Sequence, residues 1–174
     1  MVRSSPMEME LNEGKAKFIE SWGKLGTYWG INRTMAQIHA LLLISPTPVC
    51  AETVMQNLHI SRGNANMNLR ALLDWGLVHK VLKPGQRKEF FEAEKDMWKI
   101  FKQVIHHRRK KEFDPMMQVL EDISTVKPDC PESEEFCHVV KDLKDFSKKA
   151  GATLQYLEKA DNNFFVNGIL KAIR

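Results

Sequence analysis

The segment ISRGNANMNLRALLDWGL, residues 60–77, combines side chains that can bind polar surfaces with a pattern that can fold as a helix. Its first half holds serine, glycine and three asparagines, which form helices less readily than leucine does. On a helical wheel, at about 100° per residue, Ala65, Leu69 and Leu72 share one face, with Gly76 close by. We therefore expect a helix that buries its leucines and presents its polar side chains on the other side.

The outward face of this predicted helix has the side-chain types that recognise DNA. Asparagine can form paired hydrogen bonds with adenine, and arginine with guanine. Ser61 is a favourable N-cap, and the free N–H groups of a first helical turn suit a phosphate. A solvated polar face is the ordinary alternative. On the wheel, Met67 lies on the outward face and Asn68 on a flank. The candidate DNA contacts on this helix are Ser61, Arg62, Gly63, Asn64, Asn66 and Arg70.

The neighbouring residues predict a winged helix-turn-helix. A short helix over residues 51–58 comes first, and Gly76 is placed to end the second helix. A hairpin follows, with strands over residues 78–83 and 88–93 joined by Pro-Gly-Gln-Arg. Its basic turn offers Arg87 and Lys88 as further DNA contacts. Winged helices also bind proteins, so an interaction module without specific DNA binding is the alternative.

Helices are predicted before this unit. Over residues 7–29, apolar residues recur at helical spacing, although three glycines lower the helix propensity. These apolar residues are Leu11, Phe18, Trp22, Leu25 and Trp29. A second helix, over residues 32–44, should be stopped by the two prolines that follow it. Its expected inward residues are Met35, Ile38, Leu41 and Leu42.

Helices are also predicted after the hairpin. An apolar stripe over residues 97–105 is followed by a basic run, residues 106–111, that either contacts phosphates or faces water. Asp114-Pro115 predicts a kink or restart, with Asp114 as the cap. A linker covers residues 125–134. A long helix should then run through Phe136 and Leu157, and Asp161 could cap a last short helix.

The order of elements predicts a mainly α fold with a small β-hairpin wing. The predicted divisions are an N-terminal dimerisation helix over residues 1–30, a winged helix-turn-helix DNA-binding domain over residues 31–94, and a helical dimerisation region over residues 95–174. The terminal stripes hold more apolar surface than a small winged domain can cover. A two-fold homodimer is therefore expected.

Three segments resemble the GbsR-type branch of the MarR winged-helix transcription regulators: WGINRTMAQIHALLLIS, ISRGNANMNLRALLDWGLVHKV and KPGQRKEFFEAE. The resemblance covers residues 22–113, while the last third of the chain matches only in being helical. It implies a cytoplasmic homodimer that binds double-stranded DNA at a pseudo-palindromic operator. Together with the polar helix face and the basic wing, this favours a DNA-binding regulator that acts as a repressor. The resemblance also implies a recognition-helix face of Ser61, Arg62, Asn64, Asn66 and Arg70, and a wing contact at Arg87.

Some members of this branch sense choline or betaine, so the resemblance allows a small-molecule effector. Aromatic rings attract quaternary ammonium groups. The candidate effector-binding residues are Trp22, Tyr28, Trp29 and Trp98. Trp22 and Trp29 also lie on one apolar stripe, where packing in a core or dimer interface is the commoner role.

Composition permits these partners without requiring them. The 174 residues carry a formal net charge of +4 and are 43% hydrophobic, which suits a mildly basic globular protein. The longest apolar run, residues 40–44, is too short to span a membrane. With no secretion signal recognised, a cytoplasmic protein without membrane contact is expected.

Catalytic and metal chemistry find little support in the sequence. It contains no serine-hydrolase elbow, phosphate loop or zinc-protease motif, so neither enzyme activity nor a cofactor or metal site is expected. The three cysteines, Cys50, Cys130 and Cys137, are too few for a disulfide framework and match no trusted zinc spacing. A core thiol is favoured over a redox switch for Cys137.

Overall fold

A computed structural model describes residues 9–160 as two compact units that divide between Lys95 and Asp96. The first unit contains α1 (Leu11–Tyr28), α2 (Arg33–Ile44), β1 (Val49–Cys50), α3 (Ala51–Leu58), α4 (Arg62–Asp74), β2 (Val78–Val81) and β3 (Phe90–Ala93). The second contains α5 (Met97–Arg108), a π-helical turn (Arg109–Phe113), α6 (Asp114–Ile123) and α7 (Pro131–Lys159). The prediction of a mainly α fold with a small β-hairpin is confirmed, and a third strand joins the hairpin in an antiparallel sheet.

Helix α1 packs on α2 through two glycines. Gly23 and Gly26 are buried, and a Cβ atom at Gly26 would lie 2.6 Å from the Cβ of Ala36, closer than two carbon atoms can approach. The glycines that lower the helix propensity of this segment therefore allow the two helices to come together. Gly30 ends α1 at a φ of +69°, and the N–H of Ile31 donates to the oxygen of Gly26 at 2.8 Å.

The predicted apolar stripe of α1 is only partly covered. Phe18 and Trp22 are half-buried, with ring centroids 5.5 Å apart. Leu11, Leu25 and Trp29 are exposed. The glycines of α1 therefore determine which side of the helix packs on α2. Because the two backbones pack closely along that side, part of the apolar stripe faces outward.

Helix α2 lies in the core of the first unit. Its four predicted inward residues are all buried: Met35, Ile38, Leu41 and Leu42. Asn32 caps the helix, its Oδ1 accepting from the N–H of Met35 at 3.1 Å. His39 is also buried, and its Nε2 has no hydrogen-bond partner in the described residues. Burial lowers the pKa of His39 to about 4, so the imidazole is neutral near pH 7.

The sheet contains three antiparallel strands in the order β1-β3-β2. Strands β2 and β3 form the predicted hairpin, with Val78 opposite Ala93 and Val81 opposite Phe90. Both strands are shorter than predicted, because residues 82–89 form the loop. Strand β1, which pairs with β3, is not predicted from the sequence, since two residues are too few to show an alternating pattern.

The second unit begins with continuous helix from α5 to α6. Asp96 caps α5, its Oδ1 accepting from the N–H groups of Trp98 at 2.9 Å and Lys99 at 3.2 Å. The prediction that Asp114 is an N-cap is wrong, because its backbone and that of the preceding residue are helical. The wider π-helical turn accommodates the missing N–H of Pro115 without a break. The Asp114 carboxylate is instead paired with an arginine of that turn.

Helix α7 has 29 residues, and half of its eight predicted apolar residues are exposed. Val140 is buried, whereas Phe146 is 68% exposed. Four exposed apolar residues follow one another at intervals of three, four and three, which places them along one side of the helix. We call them the α7 stripe: Phe136, Val139, Leu143 and Phe146. The short helix predicted after Asp161 lies outside the described residues.

The described residues, 9–160, include no helix that is long and apolar enough to cross a membrane. No group of three or more histidine, cysteine or acidic side chains among them is arranged to hold a metal ion.

Candidate nucleic-acid interface

Helix α4 has one buried and one open face, as its wheel predicts. Its inward residues are Ala65, Leu69 and Leu72, all buried. Ser61 is the N-cap, its Oγ accepting from the N–H of Asn64 at 3.3 Å. Gly76 ends the helix at a φ of +69°, and the N–H of Leu77 returns to the oxygen of Leu72 at 3.0 Å. Local caps at both ends therefore fix the length of this helix, and its buried face fixes its rotation.

The open face of α4 carries most of the predicted contacts. The exposed residues there are Ser61, Arg62, Gly63, Asn66, Met67 and Arg70, with the acidic Asp74 exposed at the C-terminal end of the same face. No atom lies within 4 Å of a Cβ atom built on Gly63, so the backbone at that position faces open space. Arg70 makes no hydrogen bond or ion pair within residues 9–160. Its guanidinium group is consequently available to an external partner.

The three asparagines of α4 have different surroundings. The wheel places Asn68 on a flank, but it is only 3% exposed. Its Nδ2 donates to the main-chain oxygen of Asn64 at 2.9 Å and to Oδ1 of Asn64 at 2.7 Å. The main-chain oxygen requires a donor, which fixes the orientation of the Asn68 amide and, in turn, that of Asn64. Asn64 is therefore left with free N–H donors, whereas Asn66 is exposed with donor and acceptor both free.

The wing loop, residues 82–89, turns tightly at Pro-Gly. The N–H of Gln86 donates to the oxygen of Lys83 at 3.1 Å, and Gly85 has a φ of +76°. This geometry is that of a type II turn, whose third position favours glycine. Arg87 follows directly, is exposed, and has no hydrogen-bond or ion-pair partner in the described chain. The turn therefore presents an unpaired arginine at the wing.

The two lysines on either side of this turn contact other side chains of the first unit. The Nζ of Lys83 lies 4.1 Å from the ring centroid of Phe90 and is half-buried. The Nζ of Lys88 lies 3.8 Å from the carboxylate of Glu52, an exposed pair that salt would screen. Lys88 can therefore exchange this partner for a phosphate more easily than Lys83 can leave its site.

Glu52 stands at the first turn of α3, between two predicted DNA contacts. A hydrogen bond with its own backbone N–H lowers the pKa of Glu52, and the charges of Lys88 and Arg62 act in the same direction. The carboxylate is thus ionised near pH 7. A phosphate would therefore compete with Glu52 for Lys88.

The four predicted effector residues lie in different settings. Trp22 is half-buried, whereas Tyr28 is 84% exposed and Trp29 is also exposed. Trp98 belongs to the second unit, where its indole N–H donates to the main-chain oxygen of Ala160 at 3.1 Å. A cation cage needs several ring faces around one point, and the exposure of Tyr28 shows no enclosure around it. The effector site stays a prediction, which calorimetric titration with choline and betaine would test.

The basic run at residues 106–111 is partly engaged within the second unit. The Nε of Arg109 lies 2.8 Å from Oε1 of Glu158, and this hydrogen bond lowers the pKa of the Glu158 carboxyl group. Arg108 pairs with Glu112 at 3.2 Å. Lys110 and the lysine after it are exposed. The lysines of this run are therefore more accessible to an external partner than its arginines.

The three cysteines are free thiols. Cys137, expected in the core, is half-buried, and its Sγ lies 3.3 Å from the main-chain oxygen of Val126. Cys130 is exposed at the N-cap of α7, where hydrogen bonding to Ser133 lowers the pKa of its thiol. Cys50 is the N-cap residue of α3 and is half-buried. No disulfide joins any two of them.

After α1, the first unit has the element order of a winged helix-turn-helix: α2, the short strand β1, α3, α4, and the hairpin of β2 and β3, with β1 completing the sheet. The chain matches no protein-family model and no curated protein. Among solved structures it is similar to one described as the crystal structure of a transcriptional regulator, with a TM-score of 0.64 and 15% sequence identity. The alignment covers 82% of this chain and 93% of that one. This likeness shows a shared fold, and function must be argued from the site.

Proposed function

We propose that this protein is a homodimeric, sequence-specific DNA-binding transcriptional regulator that represses from a pseudo-palindromic operator. The observation that carries the proposal is the open face of α4, where side chains able to read bases have no partner in the described chain. In helix-turn-helix proteins the N-terminal end of the second helix enters the major groove. The fold shared with a structure described as a transcriptional regulator supports the same conclusion.

The hydrogen-bonding state of each side chain suggests its role on DNA. Asn66 has a free donor and a free acceptor, as a paired contact with adenine requires. Asn64 offers donors because Asn68 occupies its oxygen, so it suits a phosphate or the acceptor edge of guanine. Arg70 suits a bidentate contact with guanine. Ser61 can donate its hydroxyl proton to a phosphate while its oxygen caps the helix.

The remaining candidate contacts act through the DNA backbone and the minor groove. Arg62 and Lys88 supply charge that neutralises phosphates, which makes binding dependent on salt. Arg87, at the tip of the wing, suits a minor groove or its phosphates. Gly63 lets the helix backbone approach the groove closely, because a side chain there would project from the open face.

We propose that a second copy of the chain packs against the α7 stripe. Apolar side chains in a row along a helix are typical of surfaces that pair with another helix. Closed two-fold pairing is the commonest arrangement for identical chains. A two-fold dimer also presents α4 twice, which matches a pseudo-palindromic operator.

The test is operator binding by variants of the open face. Duplexes enriched from a random pool by the full-length protein supply the operator, and fluorescence anisotropy gives the Kd. Asn66→Ala and Arg70→Ala should each weaken specific binding by about 1–3 kcal/mol, because each removes a base contact. Asn12→Ala, an exposed asparagine of α1, is the matched control and should leave the Kd unchanged. Unchanged affinity in both α4 variants would reject α4 as the helix that reads the operator.

A protein-interaction module without specific DNA binding is the alternative. The polar open face of α4 favours DNA, since the cores of protein interfaces are enriched in aromatic and apolar anchors. A steep fall in duplex affinity with rising salt is expected for the regulator. Failure to enrich any duplex at low salt would favour the interaction module.

A further inference from the structure

An apolar side chain stands in the middle of the polar face of α4. Met67 is 61% exposed and lies four residues after Gly63 and three before Arg70, so the three share one line along the helix. Gly63, one turn earlier on this line, has no side chain, and the structure leaves open space there. A single exposed methionine is ordinary on a protein surface. Met67 differs from such a residue because it lies on the line of α4 that would face the bases.

The chemistry of a thioether restricts what Met67 can face in a major groove. Most of the base edges there are hydrogen-bond donors or acceptors, and the sulfur of methionine is at best a weak acceptor. Covering those edges with Met67 would remove their water without replacing its hydrogen bonds, which is unfavourable. The 5-methyl group of thymine is the apolar group that the groove displays. Methionine is flexible and unbranched, so it can pack on such a small apolar target.

We propose that Met67 selects a thymine in the operator by packing against its 5-methyl group. The inference rests on the proposed function, because it takes α4 to be the helix that enters the groove. The thymine lies next to the base pairs contacted by Asn66 and Arg70, the neighbours of Met67 on the same face. The operator half-site then combines an apolar contact with polar ones.

A thermodynamic cycle between one side chain and one methyl group tests this. After operators have been enriched with the full-length protein, each thymine of the half-site is replaced in turn by deoxyuridine, which removes only the methyl. At one position the wild-type protein should bind about fourfold more weakly for each substituted half-site. This ratio corresponds to the free energy of burying one methyl-sized group. The Met67→Ala variant should bind the thymine and deoxyuridine duplexes equally well at that position.

Controls separate this proposal from the one on which it rests. Met97→Ala removes a methionine that is 52% exposed on α5, and it should keep the full sensitivity to deoxyuridine. Circular dichroism should show wild-type melting for Met67→Ala, because the side chain has few packing partners to lose. If deoxyuridine weakens wild type and Met67→Ala equally, or at no position, the role of Met67 is refuted while enriched duplexes still support DNA binding. If no duplex is enriched, both proposals fail together.

Discussion

The two units of this chain use their apolar side chains in opposite ways. In residues 9–95, α2, α4 and the sheet bury large side chains such as Ile38, Leu42 and Leu69 almost completely. In the described part of the second unit, four hydrophobic residues are buried: Ile100, Leu120, Val140 and Ala160. The α7 stripe stays exposed. Helices packed around a sheet enclose their own core, whereas helices with one-sided stripes require a further apolar surface.

The largest expected effect comes from placing a charge on the α7 stripe. In the proposed dimer, Phe146→Glu would bury an unpaired carboxylate in each chain, at a cost on the order of 3 kcal/mol per chain. The concentration at which the dimer dissociates should rise at least about a thousandfold. Analytical ultracentrifugation over a range of concentrations would measure this shift.

The control for this variant adds the same charge elsewhere on α7. Gln155 lies nine residues from Phe146 and hence on the opposite side of the helix, at about 100° per residue. Gln155→Glu should leave the association unchanged. A wild-type chain that is monomeric at micromolar concentration, or equal behaviour of the two variants, would contradict the assignment of the α7 stripe.

Truncating a leucine should lower the free energy of unfolding much more in the core of the first unit than on the α7 stripe. Leu69→Ala removes a fully buried side chain and should lower the free energy of unfolding by about 2–5 kcal/mol. Leu143→Ala makes the same chemical change at a residue that is 41% exposed, and should cost less than about 1 kcal/mol in dilute, monomeric protein. Urea denaturation gives both values. Similar losses for the two variants would show that the α7 stripe is covered within one chain.

The buried imidazole of His39 should make stability depend on pH. Its pKa is about 4 in the folded chain and about 6.5 when unfolded. As pH falls through 6.5, the unfolded chain binds a proton that the folded chain does not, so stability is lost. The loss between pH 7 and pH 5 should be about 2 kcal/mol.

Two histidine variants test that dependence. His39→Leu removes the titrating group from the core and should flatten the urea-unfolding free energy between pH 7 and pH 5. His138→Leu changes an exposed residue of α7 and should keep the wild-type slope. A slope that survives in His39→Leu would mean that another group is responsible.

Two glycine substitutions should change stability in opposite directions, and Gly63→Ala has the smallest expected effect. Gly26→Ala forces a Cβ against the Cβ of Ala36 and should destabilise the first unit by about 1–3 kcal/mol. Gly63→Ala meets open space and should stabilise α4, by up to about 1 kcal/mol, because alanine is the better helix former. Thermal unfolding followed by circular dichroism would rank the two. Destabilisation by both would argue that helix propensity is not the deciding term at Gly63.

Local patterns in the sequence predicted much of α4 and little of its surroundings. The inward Ala65 and Leu69 and the cap at Ser61 follow from spacing and residue type within one helix. The burial of Asn68 does not follow, because a wheel places it on a flank and only neighbouring elements cover it. The position of Lys83 over Phe90 is likewise a contact between residues brought together by the hairpin.

The same distinction holds for the candidate site as a whole. The residue types that could read DNA are visible in the sequence. The sequence does not show which of their hydrogen-bonding groups are already engaged within the chain. Asn64 and Asn66 look equivalent as letters, yet one has its oxygen engaged and the other does not. Arg87 and Lys83 both look like basic wing residues, yet only Arg87 is without a partner in the described chain.

The sequence by itself determined where α2, α3 and α4 begin and end to within about one residue, and which side of α2 and α4 turns inward. Those features depend on caps, prolines, C-terminal glycines and periodicity, which act over a few residues. Only the tertiary structure decided that β1 completes the sheet, that Gly26 brings α1 onto α2, and that the α7 stripe remains open. Each of these depends on surfaces that are distant in the chain, and a local pattern carries no information about which surfaces meet.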